Sequence, residues 1–388
     1  MLRFLTAGES HGPGVVAILE GMPAGLPLQP EDINGELLRR QTGYGSGPRM
    51  KIEKDEAEIV GGVMAGVTIG APIALLIRNL DHVKWKGKPI DPMPVPRPGH
   101  ADLTAAIKYG YTDLRYSLER ASARETAARV AVGAVCRRLL SEFGIRIGSY
   151  VTAIGEAQAD LVDMSLEERL DRAEASPVRC PSPEATEAME AEIRAVMQAK
   201  DTLGGVFAVV ALGLPPGLGS HVHWDRRLGS RLSAALMGIH AIKGVEIGEA
   251  FANARRRGTQ AHDEIFAESD RLVRQTNRSG GLEGGITTGE PLIVHAAMKP
   301  ISTTLNPLRS VDLASGEATT TRYERSDFCA VPRAAVVGEA MLAIALADAL
   351  LEKLGGDALA ELRPRFDALR QARLADLPMA NEPIVFWE

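Results

Sequence analysis

The sequence is poor in cysteine. Its three, Cys136, Cys180 and Cys329, are far apart and odd in number. Such a set excludes a disulfide scaffold and fits a reducing compartment. No CxxC or CxxxH spacing occurs, so no structural zinc site is expected. An excess of basic residues is missing too: Lys and Arg number 44 against 50 Asp and Glu, a formal net charge of −6. Proteins that bind nucleic acid or anionic membranes are normally basic overall, so neither class is indicated. The start of the chain, MLRFLTAGESHG, lacks an apolar core of signal-peptide length followed by a cleavage site. A run of ~18 apolar residues is not found either, so no transmembrane helix is expected. The expected location is the cytoplasm. Aromatic residues make up only 4% of the chain, whereas glycines number 39. Few rings and many glycines suit a fold with many turns and close backbone approaches, including loops around a ligand. Hydrophobic residues, at 45%, supply ample material for a sizeable core.

Short runs alternate apolar with small or polar residues, as half-buried strands do. They predict strands at 14–21, 56–66, 72–79, 147–155, 205–213, 245–254 and 291–299. Three long stretches carry helical spacing instead: 123–143, capped by Gly144; 226–242; and 334–354, which is apolar nearly all round. A helix without a polar side belongs between other layers. Strands before and after such helices predict an α+β fold with long central helices between sheets. A charged stretch predicts a surface helix at 184–199. Residues 79–99 hold five prolines and read as an irregular loop. The whole chain, 1–388, reads as one domain, with a polar helix and loose tail at about 358–388 as a C-terminal extension.

Several segments are candidates for chemistry, each with a plainer alternative. In Gly8-Glu9-Ser10-His11-Gly12 and Arg97-Pro98-Gly99-His100-Ala101-Asp102, a loop histidine is flanked by glycine. Histidine titrates nearest neutrality and can move a proton there; the alternative is a turn or helix-start residue bonded to backbone. In Glu119-Arg120-Ala121-Ser122-Ala123-Arg124-Glu125-Thr126, two arginines and a serine at a helix start form an anion cradle, or else a capped helix with a surface ion pair. The segment 277–289 packs five glycines and three hydroxyls into thirteen residues, followed by Lys299-Pro300-Ile301-Ser302-Thr303-Thr304 and then Arg325-Ser326-Asp327. A loop of that kind wraps a phosphate or is a mobile hairpin; its spacing is neither that of a P-loop nor GxGxxG. Arginines including Arg40 and Arg49 flank another glycine-rich turn. His221 and His223 share a strand-like spacing and are assigned no function. Localised cations in an acidic chain point to a specific polyanionic small molecule.

Taken together, GESHG, RPGHAD with Lys108-Tyr109-Gly110 after it, ERASARET, HAIKGVEIG (240–248), SGGLEGGITTG, KPIST and RSDFCAVPR resemble the chorismate synthase family. The blocks lie in the family's order from about Leu5 to about Leu354. The resemblance implies a β-α-β sandwich, with long central helices between two antiparallel sheets, assembled as a homotetramer. It implies a lyase that converts 5-enolpyruvylshikimate 3-phosphate to chorismate and phosphate by anti 1,4-elimination. Reduced FMN is implied as cofactor without net redox change, with NADPH or an external flavin reductase as the source of reducing power.

The resemblance also implies residue roles. His100 corresponds to the histidine that keeps the reduced flavin correctly protonated. His11 corresponds to the one that protonates the departing phosphate, and Asp327 to the carboxylate active in removing the C6 proton. Flavin contacts are implied at Arg120, Ala121, Ser122, His240, Ala241, Gly284, Lys299, Pro300, Ile301, Ser302, Thr303 and Arg325. Arg40, Arg49 and Arg124 fall where substrate or nicotinamide phosphate is held. Two positions depart from the family pattern: Ser46 stands where an arginine is frequent, and His240 where an amide residue is common. A flavin-dependent oxidoreductase that consumes NADPH is the competing reading. A non-catalytic anion- or RNA-binding module is another, which the net charge and scarce aromatics disfavour.

Overall fold

A computed structural model describes residues 2–45, 54–324 and 326–386. Its first sheet is antiparallel and holds β1 (Arg3–Ala7), β2 (Gly14–Glu20), β3 (Ala57–Gly61) and β4 (Ile73–Arg78), in the order β1-β2-β4-β3. Alternation decides which side is buried: Val15, Ala17 and Leu19 on β2 and Ile73, Leu75 and Ile77 on β4 all face inward. The second sheet holds β5 (Arg146–Ile154), β6 (Gly205–Leu212), β7 (Ile242–Ile247) and β8 (Leu292–Met298), in the order β7-β8-β6-β5 with Ala157–Gln158 beyond β5. It too is antiparallel.

Between the sheets lie α1 (Pro30–Gln41), α2 (Thr126–Ser141), α3 (Leu228–Met237) and α4 (Val331–Leu354). Helix α2 packs on β2 and β4, α4 packs on β5 and β6, and α2 and α4 pack on each other. The α+β sandwich expected from the sequence is therefore the observed architecture. Small residues let the two helices meet: a Cβ built on Gly133 of α2 would stand 2.3 Å from the Cβ of Ala340 on α4. One ionic cluster lies inside this layer. The buried Glu339 of α4 accepts from Arg39 Nη1 at 2.8 Å, Arg137 Nη1 at 2.6 Å and the Ser149 hydroxyl at 2.6 Å.

Some expectations need correction. Helix α4 is long and apolar enough to span a membrane, with a window of mean hydropathy 2.0, although Glu339 interrupts its apolar run. Since 89% of that window is buried inside the protein, it is a core helix. The helix expected at 226–242 ends at Met237; Ala241 turns to φ 65° and the chain enters β7. The strand expected at 245–254 stops at Ile247. Gly248 takes φ 59° against the backbone of Arg278, and a short helix, Ala250–Asn253, follows. Inside the proline-rich loop, His82–Trp85 form one helical turn. The tail after the helix Leu359–Asp367 is not loose throughout: Ala372 and Leu374 pair with the hairpin of Ile265–Glu268 and Arg271–Arg274.

Candidate functional site

Helices α2 and α4 begin at the same place. The residues just before α2 (121–124) and the first turn of α4 (Ala330 and Arg333) border a cavity of about 390 Å³. Helix starts carry partial positive charge and unpaired N–H groups, so two converging starts favour an anion. Added to them is a cluster of guanidinium groups. Arg40 donates to Thr126 Oγ1 at 3.0 Å, to Asp55 Oδ2 at 3.2 Å and to the carbonyl of Ala123 at 2.9 Å. Arg124 pairs with the other oxygen of Asp55 and donates to Asn79 Oδ1 at 2.7 Å. Arg333 pairs with Asp327 at 2.5 Å. Burial, with Arg124 and Arg333 adding their charge, lowers the Arg40 pKa to about 10. More positive charge is gathered here than the neighbouring carboxylates comfortably balance.

The opposite wall comes from the segment after β8. Lys299 Nζ donates to Ser302 Oγ at 3.0 Å, and that hydroxyl donates to the carbonyl of Gly99 at 2.8 Å. Burial, and then the charge of Lys243, lower the Lys299 pKa. Ile301 and Thr303 line the same wall, with Pro300 between Lys299 and Ile301. His240 and Ala241 close the third side. His240 Nδ1 is buried and has no hydrogen-bond partner, and burial lowers the ring's pKa, which leaves it neutral near pH 7. A neutral imidazole with a spare polar atom in a cavity wall is matched to a polar ligand edge.

Both loop histidines are tied to carboxylates. His100 lines the cavity, with Nδ1 2.6 Å from Asp102 Oδ1. His11 lies beside the cavity and does not line it. Its Nδ1 is 2.7 Å from Glu119 Oε1, its backbone N–H donates to Oε2 at 2.8 Å, and its ring packs 4.8 Å from Trp85. Burial would raise the Glu119 pKa, but the His11 contacts outweigh it and hold the carboxyl below its ordinary value. Next to His11, Ser10 accepts from the hydroxyl of Ser122, which does line the cavity.

The expected residues thus fall into groups. His100, Ala121, Ser122, Arg124, Arg40, His240, Ala241, Lys299, Ile301, Ser302, Thr303 and Asp327 come together. Arg120 precedes the lining residue Ala121 but donates to Thr6, at 3.0 Å to its carbonyl and 2.9 Å to its hydroxyl. Gly284 turns the hairpin of Leu282–Glu283 and Ile286–Thr287 and lies apart; Glu283 and Ile286 border a different cavity of about 680 Å³. Arg49 and Arg325, with Ser46, lie outside the described residues. Residue-by-residue reading passed over Asp55, Arg97, Asp102, Glu119 and Arg333. All but Asp55 stand inside the quoted motifs: Arg97 and Asp102 flank His100 and Arg333 follows Asp327, whereas nothing local ties Glu119 to His11.

A family model for chorismate synthase matches residues 2–351 of this chain. A chorismate synthase of Aquifex aeolicus (strain VF5) is 58% identical over 384 residues, covering 94% of this chain and 96% of its own length. One from Rubrobacter xylanophilus is 54% identical over 372 residues, covering 94% and 95%. A solved structure, described as the crystal structure of chorismate synthase, superimposes with a TM-score of 0.78 at 51% identity. It covers 94% of this chain and 96% of its own.

Proposed function

This chain belongs to the chorismate synthase family and is a lyase of the shikimate pathway; from that premise, we propose that the cavity between α2, α4 and the 299–303 segment is where it acts on 5-enolpyruvylshikimate 3-phosphate. The observation that carries this reading is the convergence of Arg40, Arg124, Arg333 and Lys299 with two helix starts and His100 around one cavity. The substrate bears two carboxylates and a phosphate, and such a site both binds it and stabilises the phosphate as it departs. Arg40 and Arg124 act mainly through their field, since Asp55 already holds them.

The residues also fit FMN. His240 Nδ1 is an unpartnered atom for the polar edge of a flavin, and Ala121, Ser122, Ala241 and Lys299–Thr303 supply the rest of a cradle. The chemistry supplied by bound reduced FMN is transient electron donation, which weakens the allylic C–O bond with no net redox change. His100 holds the proton balance on the flavin side. His11, oriented by Glu119 and joined to the cavity wall through the Ser10–Ser122 hydrogen bond, is the residue assigned to supply the leaving phosphate's proton. Asp327, paired with Arg333, supports loss of the C6 proton.

We further propose a homotetramer. The outward face of the first sheet carries Leu5 and Ile18 as cross-strand partners, 70% and 46% exposed, an apolar face that a second copy would cover. Three free, buried cysteines fit action in the reducing cytoplasm. The test is FMN titration with and without the phosphorylated substrate. Tight flavin binding that strengthens with substrate is expected, and a folded protein that ignores FMN in both cases refutes the reading. NADPH consumed in the absence of any other protein marks this chain as its own flavin reductase; no consumption assigns that step to an external reductase.

A further inference from the structure

A chain of three side chains reaches the cavity wall from inside the protein. Asp102 opens the helix Asp102–Tyr109 and is wholly shielded from water. Its Oδ2 accepts from the backbone N–H of Arg97 at 3.1 Å and from Arg97 Nε at 2.8 Å. Its Oδ1 accepts from Arg97 Nη2 at 3.0 Å and lies 2.6 Å from His100 Nδ1. Arg97 is itself buried and donates onward to Thr303 Oγ1 at 3.2 Å. Burial works to raise the Asp102 pKa, but the hydrogen bonds from His100 and Arg97 and their charges outweigh it, so the carboxyl stays ionised.

An ionised carboxylate only accepts, so the hydrogen between Asp102 and His100 belongs to Nδ1. Arg97 only donates, and its Nη2 stands 3.1 Å from His100 Nδ1 and 3.3 Å from Nε2, so it favours neither ring nitrogen. The contact with Asp102 therefore selects the tautomer, and Arg97 acts by holding Asp102 in place.

We propose that Asp102, backed by Arg97, is a positioning residue for the elimination: it fixes His100 as the Nδ1–H tautomer and presents Nε2 as the atom that accepts and returns a proton. When Nε2 takes a proton, the ring becomes an imidazolium whose charge Asp102 balances; when the proton leaves, the neutral ring is restored and Asp102 remains ionised throughout. The catalytic part of this inference rests on the function proposed for the cavity; the tautomer itself does not.

The test is nitrogen NMR of histidine-labelled protein near pH 8.5, about two units above the ordinary imidazole pKa. The His100 signals are identified by their loss in His100→Gln. The expected wild-type spectrum shows a protonated Nδ1 and a bare Nε2; the opposite pattern overturns the proposal with no variant needed. In Asp102→Asn the amide oxygen still accepts from Arg97, while its NH₂ faces Nδ1 and forces the hydrogen onto Nε2. The variant should show the reversed tautomer and lose about 10²–10⁴-fold in kcat with FMN affinity close to wild type. A folded variant with unchanged tautomer, or with reversed tautomer and full turnover, refutes the role. Failure of the wild-type protein to form chorismate refutes the proposed function instead, and the wild-type spectrum still decides the tautomer.

Discussion

Replacing Glu339 by leucine strips three guanidinium groups of their shared carboxylate. Glu339 lies mid-way along α4, is 1% exposed, and meets Arg39 at 2.8 Å, Arg137 at 2.6 Å and Arg179 at 3.3 Å. Removing one partner from a buried ion cluster costs about 3–5 kcal/mol, because the remaining charges keep their desolvation penalty without their attraction. Whole domains are stable by about 5–15 kcal/mol, so this single change takes about a fifth or more of the margin. Urea unfolding at neutral pH measures it as a lower midpoint with little change in slope. Further replacement of Arg39 and Arg137 by methionine should recover only part of the loss, since two of the three guanidinium groups go but Glu36 then loses its partners Arg39 and Arg137.

Acid provides a second reading. Burial would raise the Glu339 pKa, but Arg39 and Arg137 outweigh it and hold it well below the ordinary 4.5. A folded-state pKa below the unfolded one stabilises fully above the unfolded value, and that stabilisation is lost as pH falls beneath it. Glu339→Gln should therefore show a shallower loss of stability on acidification below about pH 4.5. A Glu339→Leu protein within about 1 kcal/mol of wild type would refute the reasoning.

Two other outcomes are expected. Gly133→Ala should destabilise by about 1–3 kcal/mol, because the new methyl meets Ala340 at 2.3 Å and the helices must part. Thermal unfolding checks this, and a wild-type melting temperature would mean that α2 and α4 tolerate a wider crossing. His11→Ala should lose most turnover while binding FMN normally, and an undiminished rate would remove His11 from the chemistry.

Short apolar runs located seven of the eight strands named above and missed β1; only some of them alternate, since β5 and β6 are buried along most of their length. The lack of a polar face on α4 was enough to place it between the sheets. What periodicity missed were features decided by contacts distant in sequence. The apolar pattern of α3 runs on to Ile242, yet the left-handed turn at Ala241 ends the element and starts β7. Likewise the motifs named His11 and His100 as candidates but not what holds them. Glu119 lies 108 residues beyond His11, and no local spacing announces that pairing. Asp102 is two residues from His100, and there the signal was present in RPGHAD itself. Gly284 shows the converse: its loop has the composition of a ligand cradle, but within one chain it borders a different cavity from the histidines.

The most direct measurement is a single anaerobic turnover with pre-reduced FMN and the phosphorylated substrate, following chorismate, free phosphate and flavin oxidation state together. Chorismate and phosphate should appear in equal amounts while the flavin ends as reduced as it began. Product formed with one flavin oxidised per molecule, or no phosphate released from folded, flavin-loaded protein, would contradict the account.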